Sequence, residues 1–144
     1  MGVNVWNWIK SRKSSAVKAV EPVLKGAPAA PRTKTYSAET GYVYQYVYRG
    51  YRKLTEPSGG TEYVFSVSRD RQAMFPAAVR LFSAALEACA ELTGREILPA
   101  EQYAVAKMTL FAAFDRIAVM EEWQAPLTPT GSDMAEHLRT LGRT

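Results

Sequence analysis

Apolar residues cover most sides of the helix that the pattern predicts between Pro99 and Trp123. At about 100° per residue they fall into two opposite sectors, with narrow polar seams between them. A helix that is apolar on most of its sides is buried on most of its sides. Lys107, Asp115 and Arg116 interrupt the run, so it never approaches the roughly 18 uncharged residues of a membrane span. The pattern predicts the central helix of a small soluble domain.

A second periodicity, in which every other residue is apolar or aromatic, covers residues 40–54 and resumes at residues 61–68. This period of two, rich in Tyr, Val and Phe, is typical of strands. The intervening EPSGGT is a turn by composition, so the pair predicts an antiparallel hairpin. Gly50 interrupts the alternation and indicates a bulge. We expect the face with the tyrosines and Phe65 to meet the helices, and the face with Val, Ser and Arg to look outward.

The segment after the hairpin must supply a third strand or a helix, because a hairpin alone is not stable in water. Two interpretations fit the sequence equally well. One is a single amphipathic helix from about Pro76 to Leu92, with Cys89 on its apolar side. The other is a strand over residues 77–82, followed by a shorter helix that Ser83 caps. The sequence alone leaves open whether residues 77–82 are strand or helix.

The last stretch combines a proline-containing loop with a short helix that the pattern starts at Asp133, with Glu136 placed as in a capping box. So short a helix does not persist unaided, and we expect it to dock on its own domain, to dock on a partner, or to fray.

The predicted fold class is α+β, a small antiparallel sheet (hairpin or three-stranded meander) packed on two helices. An extended basic N-terminal arm occupies residues 1–35, the α+β domain residues 36–123, and the C-terminal loop and short helix residues 124–144.

Positive charge is concentrated in the first 34 residues, which hold seven Lys or Arg and one Glu, a net charge of +6. The whole chain carries +4, so the remainder is net −2. Prolines limit helix formation in this arm, which indicates an extended linker. Trp6 and Trp8 lie near its start. A start without the apolar region of a signal peptide, together with a single cysteine, predicts a cytoplasmic setting.

Residue types that carry catalysis are scarce in this sequence. His137 is the sole histidine and Cys89 the sole cysteine, so neither a zinc site nor a Cys–His pair is supported. We expect His137 to be a solvated surface residue and Cys89 a small core residue. The sequence has no glycine pattern of the phosphate-binding kind. It therefore predicts a protein that is not an enzyme and has no metal, cofactor or small-molecule substrate.

The function predicted from these features is non-catalytic binding, as an accessory or structural subunit docked in a larger assembly with a protein partner. One alternative is a nucleic-acid-binding protein that uses the basic arm and an Arg/Tyr-rich strand face, because rings interleaved with cations suit single strands. A second alternative is peripheral attachment to a membrane surface through the N-terminal Trp and Lys residues. The residues predicted to bind the partner are Trp6, Trp8, Lys10, Arg12, Lys13, Lys18, Arg49, Tyr51, Arg52 and Lys53.

Overall fold

The computed structural model describes residues 23–56 and 58–142. They form an α+β fold, which confirms the predicted class. The strands are β1 (Lys34–Ser37), β2 (Val43–Leu54), β3 (Gly60–Arg69) and β4 (Phe75–Phe82). The helices are α1 (Ser83–Thr93), α2 (Pro99–Arg116) and α3 (Gly131–Thr140), with a 3₁₀ turn at Met120–Glu122. The four strands make one antiparallel sheet in the order β1-β2-β3-β4, so each strand pairs with its neighbour along the chain.

The predicted bulge is present in β2. Tyr48 pairs with Phe65 and Gly50 with Val64, which leaves Arg49 as the extra residue of β2. Beyond the bulge, the tyrosine at position 51 lies on the same face as those before it.

Lys25 pairs with β2 just beyond this bulge. Its backbone N–H donates to the carbonyl of Tyr51, and the N–H of Tyr51 donates to the carbonyl of Lys25, both at 2.8 Å. Gly50 allows this approach, because its φ is +126° and a Cβ there would lie 2.6 Å from the Lys25 carbonyl oxygen. The predicted arm therefore contacts the sheet at Lys25, and β1 begins at Lys34, inside the arm.

Residues 77–82 are strand, which decides between the two interpretations of that segment. β4 ends at Phe82, and α1 begins directly at Ser83. The prediction that Ser83 caps this helix is wrong: Phe82 is the N-cap residue, and no side chain accepts a capping hydrogen bond. The backbone N–H of Ser83, which has no acceptor within the helix, instead donates to the carbonyl of Gly59 in the β2–β3 loop at 3.0 Å.

Helix α2 covers the tyrosine face of the sheet, as predicted. Tyr44 stacks on Phe114 with ring centroids 4.1 Å apart, and Tyr36 stacks on Phe111 at 4.4 Å. On the opposite side Val105 is almost fully enclosed, and the other apolar residues of that sector are half-buried or exposed. The predicted burial of the helix on two sides therefore holds only in part.

The predicted end of this helix at Trp123 is wrong. The helix stops at Arg116, and Ile117 takes an extended conformation. A tertiary interaction holds the chain after it, because Arg69 in β3 donates two-pronged hydrogen bonds to the Glu121 carboxylate at 2.9–3.1 Å. Met120 is buried in the core beside this ion pair, whereas Trp123 is 49% exposed. The apolar residues keep helical spacing up to Trp123 in the sequence, but the ion pair between Arg69 and Glu121 holds this stretch outside the helix.

The opposite face of the sheet does not look outward along its whole length, contrary to the prediction. Val47 and Val64 are buried, while Val43 and Arg49 are exposed as expected. Towards the β2–β3 loop a row of cross-strand partners carries Arg52, Glu62 and Arg80 on β2, β3 and β4. The carboxylate of Glu62 forms an ion pair with Arg52 at 2.9 Å and accepts a hydrogen bond from Arg80 Nε at 2.8 Å. These two ion pairs offset the cost of burying the carboxylate.

The C-terminal helix begins two residues before Asp133. Thr130 is its N-cap, and the Thr130 and Asp133 side chains each accept the other's backbone N–H at 3.0 Å. The capping box is therefore Thr130–Asp133 and not Asp133–Glu136. This helix docks on α1 of its own domain, where a Cβ at Gly131 would lie 2.6 Å from that of Ala88.

The free side of β4 is covered by the loop before α3. Leu127 donates to the carbonyl of Ala78 and accepts from the N–H of Arg80, both at 2.8 Å. Among the described residues, no helix is long and apolar enough to cross a membrane.

Candidate functional site

A groove lined by tyrosines lies between the sheet, the start of α2 and the segment that precedes β1. It consists of two adjoining cavities of about 170 Å³ and 560 Å³. Pro28, Tyr48 and Tyr103 line both of them. We call this region the tyrosine groove, after Tyr46, Tyr48, Tyr51, Tyr63 and Tyr103.

The tyrosine rings of the groove come from three elements and contact one another. Tyr48 on β2 meets Tyr103 on α2 with ring centroids 4.8 Å apart. Tyr63 on β3 lies 6.2 Å from Tyr103 and 6.2 Å from Tyr51. Without the bulge, strand alternation would send Tyr51 to the other face of the sheet. The sheet and the helix thus build one continuous aromatic wall.

Burial makes three hydroxyls of this wall harder to ionise. It raises the pKa of Tyr48 and that of Tyr63 to about 12, and it raises the pKa of Tyr103 as well. At neutral pH these side chains therefore offer ring faces and neutral hydroxyl groups. They do not offer a phenolate that could act as a base or a nucleophile.

Cations stand at both ends of the groove. Arg32 and Lys34 line the smaller cavity, and Lys53 lines the larger one, where its Nζ lies 3.2 Å from Thr61 Oγ1. Lys107 Nζ lies 5.7 Å from the centroid of the Tyr103 ring. Burial lowers the pKa of Lys107, and the nearby charge of Lys34 lowers it further.

The described lining of the groove carries cations without a carboxylate to offset them. Among the described residues that line its two cavities, none is Asp or Glu. A concave surface lined by charges of one sign concentrates ions of the other sign. The groove is therefore suited to an anionic ligand with planar or apolar parts.

The structure separates the predicted binding residues of β2 into two groups. Tyr51 and Lys53 line the groove. Arg49 and Arg52 lie on the opposite face, where Arg49 Nε donates to Ser66 Oγ at 2.8 Å and Arg52 pairs with Glu62. The remaining predicted binding residues fall outside the described part of the chain: Trp6, Trp8, Lys10, Arg12, Lys13 and Lys18.

Sequence reasoning missed Arg32, Lys34 and Tyr103 as groove residues. The first two were assigned to a linker, and their position at the groove follows from the pairing of β1 and of Lys25 with β2. Tyr103 carried a usable signal, because helical spacing placed it in the sector that faces the sheet tyrosines.

A second groove of about 530 Å³ lies on the other side of α2, against the loop before α3. Trp123, Pro126, Pro129 and His137 contribute to its walls. His137 is half-buried, so the prediction of a solvated surface residue is wrong. Burial lowers the pKa of His137 below its usual range, and the nearby carboxylates of Asp133 and Glu136 oppose that shift. The imidazole is therefore mainly neutral at pH 7.

The thiol of Cys89 is fully buried in the core, as predicted. Burial raises its pKa, so it is a poor nucleophile. Within residues 23–56 and 58–142, no group of three or more His, Cys, Asp or Glu side chains is placed to hold a metal ion.

Comparison with known proteins adds no relative to this picture. The chain matches no family model, and neither a curated protein nor a solved structure is similar enough to count as a match.

Proposed function

We propose that this protein is a non-catalytic binding protein, an accessory subunit of a larger assembly, and that it takes an anionic partner in the tyrosine groove. The observation that carries the proposal is the combination of a concave aromatic wall with cations and without a lining carboxylate. Binding sites are typically concave and mostly apolar, with a few polar groups that orient the ligand.

The chemistry of the groove supports binding in preference to catalysis. Its titratable wall residues are tyrosines and lysines, and the tyrosine hydroxyls stay protonated at neutral pH. No described lining residue is a histidine, cysteine or carboxylate that could exchange a proton in that range. Rings and cations fixed on a sheet and a helix form a recognition surface on rigid elements.

Charge reversal at both ends of the groove tests the proposal on the full chain. The double variant Lys34→Glu, Lys53→Glu is compared with Arg71→Glu, Arg139→Glu, which changes the net charge equally at exposed positions outside the groove. Fluorescence anisotropy is measured with two labelled anionic probes, a decaglutamate peptide and a single-stranded oligo(dT).

We expect the wild type to bind at least one probe, and the groove variant to bind it at least about tenfold more weakly, since repulsion replaces attraction at both ends. The control variant should lose much less affinity. The proposal fails if neither probe binds, or if the two double variants weaken binding equally. Circular dichroism melts establish that both variants are folded.

A further inference from the structure

We infer that the anionic ligand of the tyrosine groove is a single-stranded nucleic acid. This inference rests on the proposed function, and it adds the ligand class. It follows from the size of the aromatic wall, from the position of the cations relative to it, and from the partial exposure of its rings.

The rings that a base could stack on are those that stay partly exposed. Tyr48, Tyr51 and Tyr103 are half-buried, while Tyr46 and Tyr63 are each only 6% exposed and support them from behind. The rings of Tyr48 and Tyr103 contact each other, and the ring of Tyr63 lies between those of Tyr51 and Tyr103, with centroids 6.2 Å from each. Aromatic platforms of this kind bind successive bases of a single strand with little dependence on sequence.

The cations stand where a backbone would enter and leave such a platform. Arg32 and Lys34 lie at one end of the rings and Lys53 lies at the other. Single-strand binders combine a basic path for the phosphates with rings for the bases. The groove has both parts, with cations at its two ends and Lys107 beside the Tyr103 ring.

A double-stranded nucleic acid fits the groove poorly. Its bases are stacked on one another inside the helix, so their faces are closed to the tyrosines. Duplex binding would have to rely on phosphate contacts alone, and the described cations of the groove are few. The geometry therefore favours single strands over duplexes.

An acidic peptide is the other anionic macromolecule to consider. It would satisfy Arg32, Lys34 and Lys53, but its carboxylates have no planar faces for Tyr48, Tyr51 and Tyr103. A ligand with both phosphates and rings uses every feature of the groove. A single strand is the favoured occupant for that reason.

The decisive variant removes one exposed ring and keeps an apolar side chain in its place. Tyr51→Leu is matched by Tyr42→Leu, which removes another half-buried tyrosine, one that directly precedes β2 and lies outside the groove beneath the guanidinium of Arg69. Binding of the full chain is measured with three labelled probes: a single-stranded oligo(dT) of about twelve nucleotides, a duplex of the same length, and decaglutamate.

We expect oligo(dT) to bind more tightly than the duplex or decaglutamate. Tyr51→Leu should weaken oligo(dT) binding about tenfold, the loss expected when one stacked base loses its platform, with little effect on decaglutamate. Tyr42→Leu should leave all affinities close to wild type. If Tyr51→Leu melts early by circular dichroism, Tyr103→Leu replaces it and has the same expected result.

Three outcomes would overturn the inference, and they differ in what they leave standing. Groove-dependent binding of decaglutamate as tight as that of oligo(dT) would keep the proposed function and identify an acidic peptide as the ligand. Oligo(dT) binding that ignores both ring variants would reduce the groove to a charged surface. Failure of all three probes to bind would remove the proposed function as well.

Discussion

The hydroxyl of Tyr36 in β1 donates a hydrogen bond to Oδ2 of Asp115 in the last turn of α2, at 2.7 Å. The other oxygen of the same carboxylate, Oδ1, accepts from the backbone N–H of Glu39 at 2.9 Å. One carboxylate thus binds both the shortest strand and the turn that follows it to the central helix. The Tyr36 ring adds a stacking contact with Phe111. These contacts fix the strand that carries Lys34 to the groove.

Removal of the Tyr36 hydroxyl should therefore loosen β1 while leaving its ring in place. We expect Tyr36→Phe to lower the free energy of unfolding by about 1 kcal/mol, because a partly exposed hydrogen bond to a charged acceptor is lost. Urea unfolding measures the change. Tyr42→Phe serves as the matched control and should have a smaller effect, and an equal loss in both variants would contradict the assigned role of Asp115.

Alkaline pH should destabilise the fold over a defined range. The pKa of Tyr36, of Tyr48 and of Tyr63 is raised to about 12 from the ordinary value of 10.0 in the folded protein. A group whose pKa is raised on folding contributes stability that is complete below its unfolded pKa and is lost as the pH rises through its folded pKa.

The contribution of these tyrosines to the free energy of unfolding should accordingly be complete up to about pH 10 and fall from there towards about pH 12. Urea midpoints measured against pH, with tyrosinate absorbance recorded in parallel, test this prediction. Titration of every tyrosine near pH 10 in the folded protein, without loss of stability, would show that these hydroxyls are not buried.

The ion pairs on the opposite sheet face make Glu62 a critical residue for stability. Its carboxylate is buried and forms ion pairs with both Arg52 and Arg80, so its loss removes the shared partner of two neighbouring cations. We expect Glu62→Ala to lower the free energy of unfolding by about 3 kcal/mol. Glu136→Ala removes an exposed pair with Arg139 and should cost less than about 0.5 kcal/mol. Chemical denaturation of both variants decides, and similar losses would contradict the prediction.

The close contact between α1 and α3 requires a residue without a Cβ at Gly131. A Cβ there would lie 2.6 Å from the Cβ of Ala88 and 2.9 Å from the carbonyl oxygen of Ala85. Gly131→Ala should therefore destabilise the protein by about 1–3 kcal/mol through overpacking, although alanine favours helix. Ser132→Ala, at an exposed position of the same turn, should be neutral or slightly stabilising. A thermal midpoint raised by Gly131→Ala would show that the two helices can separate at little cost.

The elements that could be predicted from the sequence are those whose signal is local. The alternation over β2 and β3 and the bulge at Gly50 are properties of a few consecutive residues. β1 has four residues and no distinctive pattern, and its place depends on pairing with β2 and on the distant Asp115. The end of α2 was missed for the same reason, since the ion pair between Arg69 and Glu121 joins residues far apart in sequence.

The candidate groove could be predicted only in part. Tyr51 and Lys53 were identified because they lie on the clearest strand, but Arg52 was grouped with them although neighbours on a strand point to opposite faces. That error was avoidable from the sequence. The omission of Arg32 could not have been avoided, because its place in the groove depends on the path of residues 26–33 after Lys25 pairs with β2.

The two single-residue pairings at the borders of the sheet bear on how this protein behaves at high concentration. Lys25 occupies the outer side of β2 beyond β1, and Leu127 occupies the outer side of β4. Fibrils grow when a row of free backbone groups on an edge strand templates another chain. Here Leu127 interrupts that row on β4, and Lys25 interrupts it on the part of β2 beyond β1, where the edge is otherwise formed by the four-residue β1. Aggregation through sheet extension is thereby hindered, which would help a tyrosine-rich sheet remain dispersed.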